Sequence, residues 1–161
     1  MLPLQKRQQS DSPEGPMILP TLMVEIAASR DRVFSFMTNP EKVKQWQPDV
    51  VESIPLTKGG VERGTRWRVT VEEFGRRFDV ETSVVDLVLN TRLVFETRAP
   101  TADVQVDYRF FEHGPNTRVE LATTLKPRGF MRVVFPFVKG MIRRKVASRL
   151  NLLREVIEST G

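Results

Sequence analysis

The sequence predicts an α+β protein in which one antiparallel sheet of about seven strands is covered on one face by a long C-terminal helix. Three observations support this prediction. Residues 50–125 alternate apolar and polar side chains in short runs that are separated by turn sequences. Two short helical segments lie between the first strand and the second. One long amphipathic segment, residues 129–159, ends the chain and is the only element left to cover the sheet.

The N-terminal residues 1–18 are polar, contain several prolines and show no periodicity, so we expect a flexible tail. Met17 is an alternative start site. Residues 19–161 then form a single domain, since a chain of 161 residues is long enough for one proper core.

The first predicted strand is TLMVEIAAS, in which Leu22, Val24 and Ile26 alternate with more polar positions. Ser29 is a good N-cap for a helix that follows this strand. Asn39 and Pro40 start a second short helix that runs to about Trp46, because Asn caps well and Pro is tolerated in the first turn.

The six later strands begin with an imperfect one, VVESIPL, whose Pro55 cannot donate to a ladder and places it at an edge or a bulge. The inward-facing set of the remaining strands contains hydroxyls and one indole but no carboxylate, imidazole or ammonium group. This set is Trp67, Val69, Val71, Phe78, Val80, Thr82, Val84, Leu93, Phe95, Thr97, Val104, Val106, Tyr108, Phe110, Val119, Leu121, Thr123 and Leu125.

The C-terminal segment carries an apolar stripe with three- and four-residue steps, which we expect to pack on the sheet. The stripe is Phe137, Met141, Ile142, Val146, Leu150, Leu153 and Ile157. Pro136 removes a backbone donor, so we expect residues 130–135 to form a short helical piece with a bend before the long helix.

Composition excludes several classes of protein. There is no cysteine and only one histidine, His113 in a Gly-Pro-Asn turn, so a conventional metal site, a thiol nucleophile and a cofactor are not expected. No window approaches the roughly 18 apolar residues of a membrane span, and a cytoplasmic location is expected. The net charge of +5 is concentrated in residues 126–161, which carry a local +7.

Two segments resemble a known family: VEIAASRDRVFSFMTNPEKVKQWQPDV near the start and LKPRGFMRVVFPFVKGMIRRKVASRLNLLREVIE at the end. They are similar to the START-like (SRPBCC, Bet v 1-like) superfamily, in its bacterial polyketide cyclase/dehydrase and lipid-transport branch. The resemblance implies a helix-grip fold, in which a curved sheet grips the long helix around an elongated apolar cavity. Members bind lipids, sterols, plant hormones, quinones or polyketides, and some catalyse cyclisation or dehydration.

We therefore predict the binding or transport of a hydrophobic small molecule or lipid, without catalysis, because the predicted wall lacks groups suited to proton transfer. The predicted lining residues are Trp46, Trp67, Val69, Phe78, Thr82, Phe95, Thr97, Tyr108, Phe110, Thr123, Phe137, Met141 and Arg149. The alternative is a cyclase or dehydratase, in which Tyr108, Trp67 and Arg149 would act. Lys145 and Arg149 lie at the margin of the stripe, where either can meet an acidic head group.

The basic C-terminal segment raises a third hypothesis, which is contact with an anionic surface. Phe130, Phe135 and Phe137 stand among basic residues and can dock the cavity mouth on an anionic membrane. Nucleic acid is a less suitable partner, because the aromatic residues of the strands lie on the covered face of the sheet and do not interleave with the basic residues. The sequence is compatible with a monomer or a homodimer.

Overall fold

The computed structural model describes residues 15–160, and the rest of the predicted tail lies outside the described residues. The elements are β1 Met17–Ile18, β2 Leu22–Ile26, α1 Arg30–Met37, a 3-10 turn Pro40–Lys42, α2 Val43–Trp46, β3 Val50–Pro55, β4 Arg66–Glu73, β5 Arg76–Val88, β6 Arg92–Arg98, β7 Ala102–His113, β8 Asn116–Pro127 and α3 Met131–Ser159.

The eight strands form one antiparallel sheet in the order β1-β8-β7-β6-β5-β4-β3, and β2 also pairs with β8. This confirms the predicted architecture with one strand more than expected. The additional strand is β1, where Met17 pairs with Leu125 and Ile18 with Thr124. The predicted tail is therefore wrong for these two residues, because a two-residue strand has no alternation that a sequence pattern can show.

Pro55 lies in β3, and the prediction of an edge strand or a bulge is confirmed on both counts. This strand pairs with β4 at the border of the sheet, and its register shifts between Val50 and Glu52. The registers of the inner strands confirm the predicted alternation. Trp67 lies opposite Thr82, and Leu93 lies opposite Tyr108.

The two helix starts differ in how they are capped. Asn39 behaves as predicted: its side-chain oxygen accepts a hydrogen bond from the Glu41 N–H at 3.0 Å. Ser29 occupies the N-cap position with extended backbone, but its side chain makes no capping bond. Its hydroxyl bonds instead to Asp31, which lowers the pKa of that carboxyl group. Of the two predicted caps, only Asn39 makes a capping bond, at the start of the 3-10 turn that precedes α2.

Helix α3 is continuous from Met131 to Ser159, so the predicted separate piece over residues 130–135 is wrong. Pro136 lies inside the helix, near its start. There it removes the single hydrogen bond that its missing N–H would make to the carbonyl of Arg132, a cost that a helix of 29 residues absorbs.

The core forms where the C-terminal half of α3 meets the sheet. Leu150, Leu153 and Ile157 are buried against β2, β8 and α1, together with Val33 and Phe34 of α1. Burial of a leucine or isoleucine side chain is worth about 1.5–3 kcal/mol, so these contacts fix the helix on the sheet.

The predicted stripe is wrong for its first two members, because Phe137 and Met141 are exposed. An α-helix turns by about 100° per residue, so the face defined by Leu150, Leu153 and Ile157 continues towards the N-terminus of α3 through Val146. Phe137 and Met141 lie on the opposite face. The N-terminal half of α3 has apolar residues on two faces, and both faces show steps of three and four residues. The spacing alone therefore cannot tell which face packs on the sheet.

Candidate functional site: an apolar cleft beneath the long helix

The candidate site is the space between the inner face of the sheet and the N-terminal half of α3, called the cleft below. Helix α3 lies against β2, β8 and α2. Outside the core, the inner face of the central strands is incompletely covered, because Val69, Phe78 and Phe95 are only half-buried. The sheet therefore presents apolar surface that the helix does not cover.

Four aromatic side chains form a continuous row along one wall of the cleft. Trp46 of α2 meets Tyr108 of β7 edge-on, with ring centroids 6.3 Å apart and planes at 80°. Tyr108 meets Phe95 at 6.4 Å, and Phe95 meets Trp67 at 6.3 Å. Such edge-to-face contacts favour a fixed arrangement of the rings. Trp46, Trp67 and Tyr108 are buried in the core and Phe95 is half-buried, so the row forms a rigid apolar wall that is open mainly at Phe95.

The hydroxyl groups of the wall differ in how they are engaged. The Thr82 and Thr97 hydroxyls bond to each other across β5 and β6 at 2.9 Å, so each satisfies the other. The Tyr108 hydroxyl makes no hydrogen bond to another residue within the described part of the chain. Burial raises the pKa of Tyr108 to about 12, and the nearby charge of Arg149 partly opposes this increase. Tyr108 is therefore a neutral hydrogen-bonding group beside the cleft.

A charged cluster, defined here as Asp49, Glu73, Lys145 and Arg149, links α3 to the sheet at the side of the cleft. Arg149 pairs with Asp49, which immediately precedes β3. Lys145 pairs with Glu73 at the end of β4 and lies 3.7 Å from Asp49. Burial lowers the pKa of Lys145, and the charge of Asp49 partly compensates. These ion pairs fix the position of α3 relative to β3 and β4.

Two members of this cluster, Asp49 and Glu73, are absent from the predicted lining. Glu73 follows Trp67, Val69 and Val71 at two-residue steps, so the same alternation that turned them inward also turns Glu73 inward. Asp49 lies in the connection before β3, where no periodicity indicates direction. The predicted inward-facing set contains no carboxylate. The structure, however, places the carboxylates of Asp49 and Glu73 at the rim of the cleft.

The structure brings some predicted lining residues together and separates others. Trp46, Trp67, Thr82, Phe95, Thr97 and Tyr108 lie together on the central wall, and Val69 and Phe78 extend it along β4 and β5. Phe110 lies deeper, edge-on to Phe34 at 5.3 Å, and Thr123 is buried on β8. Arg149 is at the rim of the cleft. Phe137 and Met141 lie on the outer face of α3 and do not reach the wall.

His113 is the last residue of β7, directly before the β7–β8 turn, and its side chain is exposed, as predicted. Its Nδ1 atom is 2.8 Å from Glu25, which also accepts a hydrogen bond from Asn116. These bonds lower the pKa of Glu25 and join β2 to the β7–β8 turn. Within residues 15–160 there is no group of three or more side chains suited to hold a metal ion.

An antiparallel sheet wrapped on one long C-terminal helix, with two short helices after β2, defines a helix-grip protein with a lateral apolar cleft. The chain belongs to the polyketide cyclase/dehydrase and lipid transport family, whose sequence profile matches residues 17–158. None of the helices described over residues 15–160 is long and apolar enough to cross a membrane.

Solved structures show the same fold at low sequence identity. The Zhui aromatase/cyclase from Streptomyces sp. R1128 is 15% identical, with a TM-score of 0.77 over 89% of this chain and 94% of that one. A START superfamily protein from Mycobacterium smegmatis is 18% identical, with a TM-score of 0.75 over 90% of this chain and 100% of that one. No curated protein sequence matches this chain significantly.

Proposed function

We propose that this protein binds or transports a hydrophobic small molecule or lipid in the cleft between the sheet and α3, without catalysing a reaction on it. The observation that carries the proposal is the row Trp46–Tyr108–Phe95–Trp67 on an inner face that the helix leaves partly uncovered. A family that includes lipid transport, and a fold shared with a START superfamily protein, both support it.

The ligand would be held mainly by apolar contact with the aromatic row and with the half-buried side chains around it. Mostly apolar pockets with a few placed polar groups are typical of small-molecule sites. Tyr108 supplies one such group, since its hydroxyl has no partner among the described residues. A single hydroxyl or carbonyl on the ligand would then be oriented by Tyr108.

The polar groups of the cleft are poorly suited to proton transfer, which favours binding without chemistry. Efficient general acid–base catalysis needs a pKa near the working pH, and burial moves the pKa of Tyr108 away from neutrality to about 12. Thr82 and Thr97 are bonded to each other. Arg149 is held by Asp49.

Native mass spectrometry of protein purified without detergent, followed by solvent extraction, tests this proposal. We expect a bound hydrophobic molecule at near-stoichiometric occupancy. Phe95→Ala should lower the occupancy because it interrupts the aromatic row. Val85→Ala, an exposed residue on β5, is the matched control and should retain the ligand. Unchanged occupancy in the Phe95 variant would place the ligand elsewhere and overturn the proposal.

A second candidate function is a cyclisation or dehydration reaction of the kind named for the family and for the Zhui protein. The observation that favours it is Lys145, whose pKa is lowered beside a cleft rimmed by two carboxylates. Perturbed groups in clefts often mark active sites. Incubation with a linear poly-β-ketone, followed by mass spectrometry for loss of water, tests it. Loss of water that Lys145→Met abolishes and Arg143→Met leaves intact would support catalysis.

The partners proposed are accordingly the hydrophobic ligand and, transiently, an anionic membrane. We propose a cytoplasmic location, in line with the absence of cysteine from the sequence. Nucleic acid is not proposed as a partner, because Trp46, Trp67 and Tyr108 are buried and their faces are not available for stacking with bases.

A further inference from the structure

The N-terminal half of α3 carries a second apolar stripe on the face turned away from the sheet, called the outer stripe below. Its members Phe130, Val133, Phe137 and Met141 are 77%, 59%, 86% and 46% exposed. They recur at three- and four-residue steps and span about 16 Å along the helix and its N-cap. Exposed apolar stripes of this kind mark interaction surfaces when they are contiguous.

A further exposed aromatic residue, Phe74, lies in the β4–β5 turn. Its side chain is 87% exposed, and its backbone is in the left-handed region at φ 51°, followed by Gly75 at φ 72°. Such turns favour Asn, Asp or Gly, and a bulky residue there is strained. Strain in an exposed apolar residue indicates a role outside the packing of this chain.

The two features lie side by side in the fold. Glu73, which precedes Phe74, contacts Lys145 of α3, one turn beyond Met141. The β4–β5 turn is therefore next to the helix that carries the outer stripe. This end of the molecule also contains the β8–α3 connection with Arg128.

The charged residues of the helix segment that carries the outer stripe have one sign. Residues 128–149 contain seven Lys and Arg residues and no Asp or Glu. Arg132, Arg143 and Arg144 are exposed. Beside Phe74, Arg76 and Arg77 lie on one side of the turn and Glu72 and Glu73 on the other, and Arg77 pairs with Glu72 at 2.7 Å. Aromatic and aliphatic side chains among basic residues are typical of segments that lie in the interface of anionic bilayers.

We propose that the outer stripe and Phe74 form a docking surface for an anionic lipid bilayer, with α3 lying along the membrane. Phe74, Phe130 and Phe137 insert at the headgroup level, and the surrounding arginines contact lipid phosphates. A second copy of the chain is the less suitable occupant, because it would bring together two helix segments that stay net positive even after Arg128, Lys145 and Arg149 have paired with carboxylates. The proposal does not depend on the cleft holding a ligand.

Vesicle co-sedimentation with purified full-length protein tests the surface. One set of vesicles is phosphatidylcholine alone, and the other contains phosphatidylglycerol in addition. We expect binding to the anionic vesicles that weakens as salt is added, since exposed charges are screened. Phe137→Ala and Phe74→Asn should each weaken binding by about tenfold, because each removes an inserted ring. Leu89→Ala removes an exposed apolar residue of the β5–β6 turn and should bind as wild type.

Three outcomes would overturn the proposal. These are absence of binding to anionic vesicles at low salt, equal binding to both vesicle types, and equal loss of binding in Leu89→Ala. Analytical ultracentrifugation of the same variants covers the other occupant. Self-association that Phe137→Ala abolishes would make the outer stripe a contact between two copies. Circular dichroism of each variant separates loss of docking from loss of folding.

Discussion

Arg149 of α3 is paired with Asp49, a residue 100 positions earlier that immediately precedes β3. Oδ1 of Asp49 and Nε of Arg149 are buried and have no hydrogen-bond partner among the described residues. The pair thus joins the helix to the edge of the sheet at the rim of the cleft, and one polar atom of each residue remains without a partner. Each of these atoms is left to bond an ordered water molecule or a polar group of a ligand.

The first prediction concerns this pair. Asp49→Ala should lower the free energy of unfolding by about 2–3 kcal/mol, because it leaves the largely buried Arg149 without its counter-charge. Asp49→Ala combined with Arg149→Met should recover part of that loss. Urea unfolding of the wild type, both single variants and the double variant provides the cycle. Additive effects of the two substitutions would show that the pair contributes no coupling.

The second prediction concerns Tyr108, the only tyrosine in the sequence. Tyrosinate absorbance should therefore report this residue alone, with a midpoint at about pH 12 in the folded protein. The folded pKa is raised above the unfolded value of about 10, so stability from this group is complete below pH 10 and is lost as pH rises towards 12. Arg149→Met should raise the midpoint further, because the charge of Arg149 lowers it. A midpoint near 10 in the folded protein would contradict burial.

The third prediction compares the two apolar faces of α3. Leu153→Ala should cost about 3 kcal/mol of unfolding free energy, because the side chain is fully buried in the core. Phe137→Ala should change stability by less than about 0.5 kcal/mol, because the ring is exposed. Thermal and urea unfolding of the two variants measure both values. A large loss in the Phe137 variant would mean that this ring packs inside the protein.

The fourth prediction concerns the strained turn. Phe74→Gly should raise the free energy of unfolding by roughly 1 kcal/mol, because glycine adopts φ 51° without the cost that a side chain imposes. Asn should give a smaller gain. The control is Phe111→Ala, because Phe111 is also exposed but has the ordinary backbone of a β-strand. This substitution should give no such gain. A loss of stability in the glycine variant would show that the Phe74 ring makes stabilising contacts.

The sequence by itself determined the fold and most of its elements, because local periodicity and turn residues report them directly. The alternation of β4 to β8, the Asn39 cap and the edge position of β3 were all predicted from neighbouring residues. The family followed from two segments whose residues are mainly structural. These features depend on interactions over a few residues, and a linear pattern contains them.

Only the tertiary structure decided which apolar residues are covered and which charges meet. Phe137 and Ile157 belong to similar three- and four-residue patterns, yet one is exposed and the other is buried, because α3 packs on the sheet only through its C-terminal half. The pairing of Asp49 with Arg149 joins residues 100 positions apart. Contacts at that separation depend on how the sheet and the helix come together in space, and no local pattern in the sequence records them.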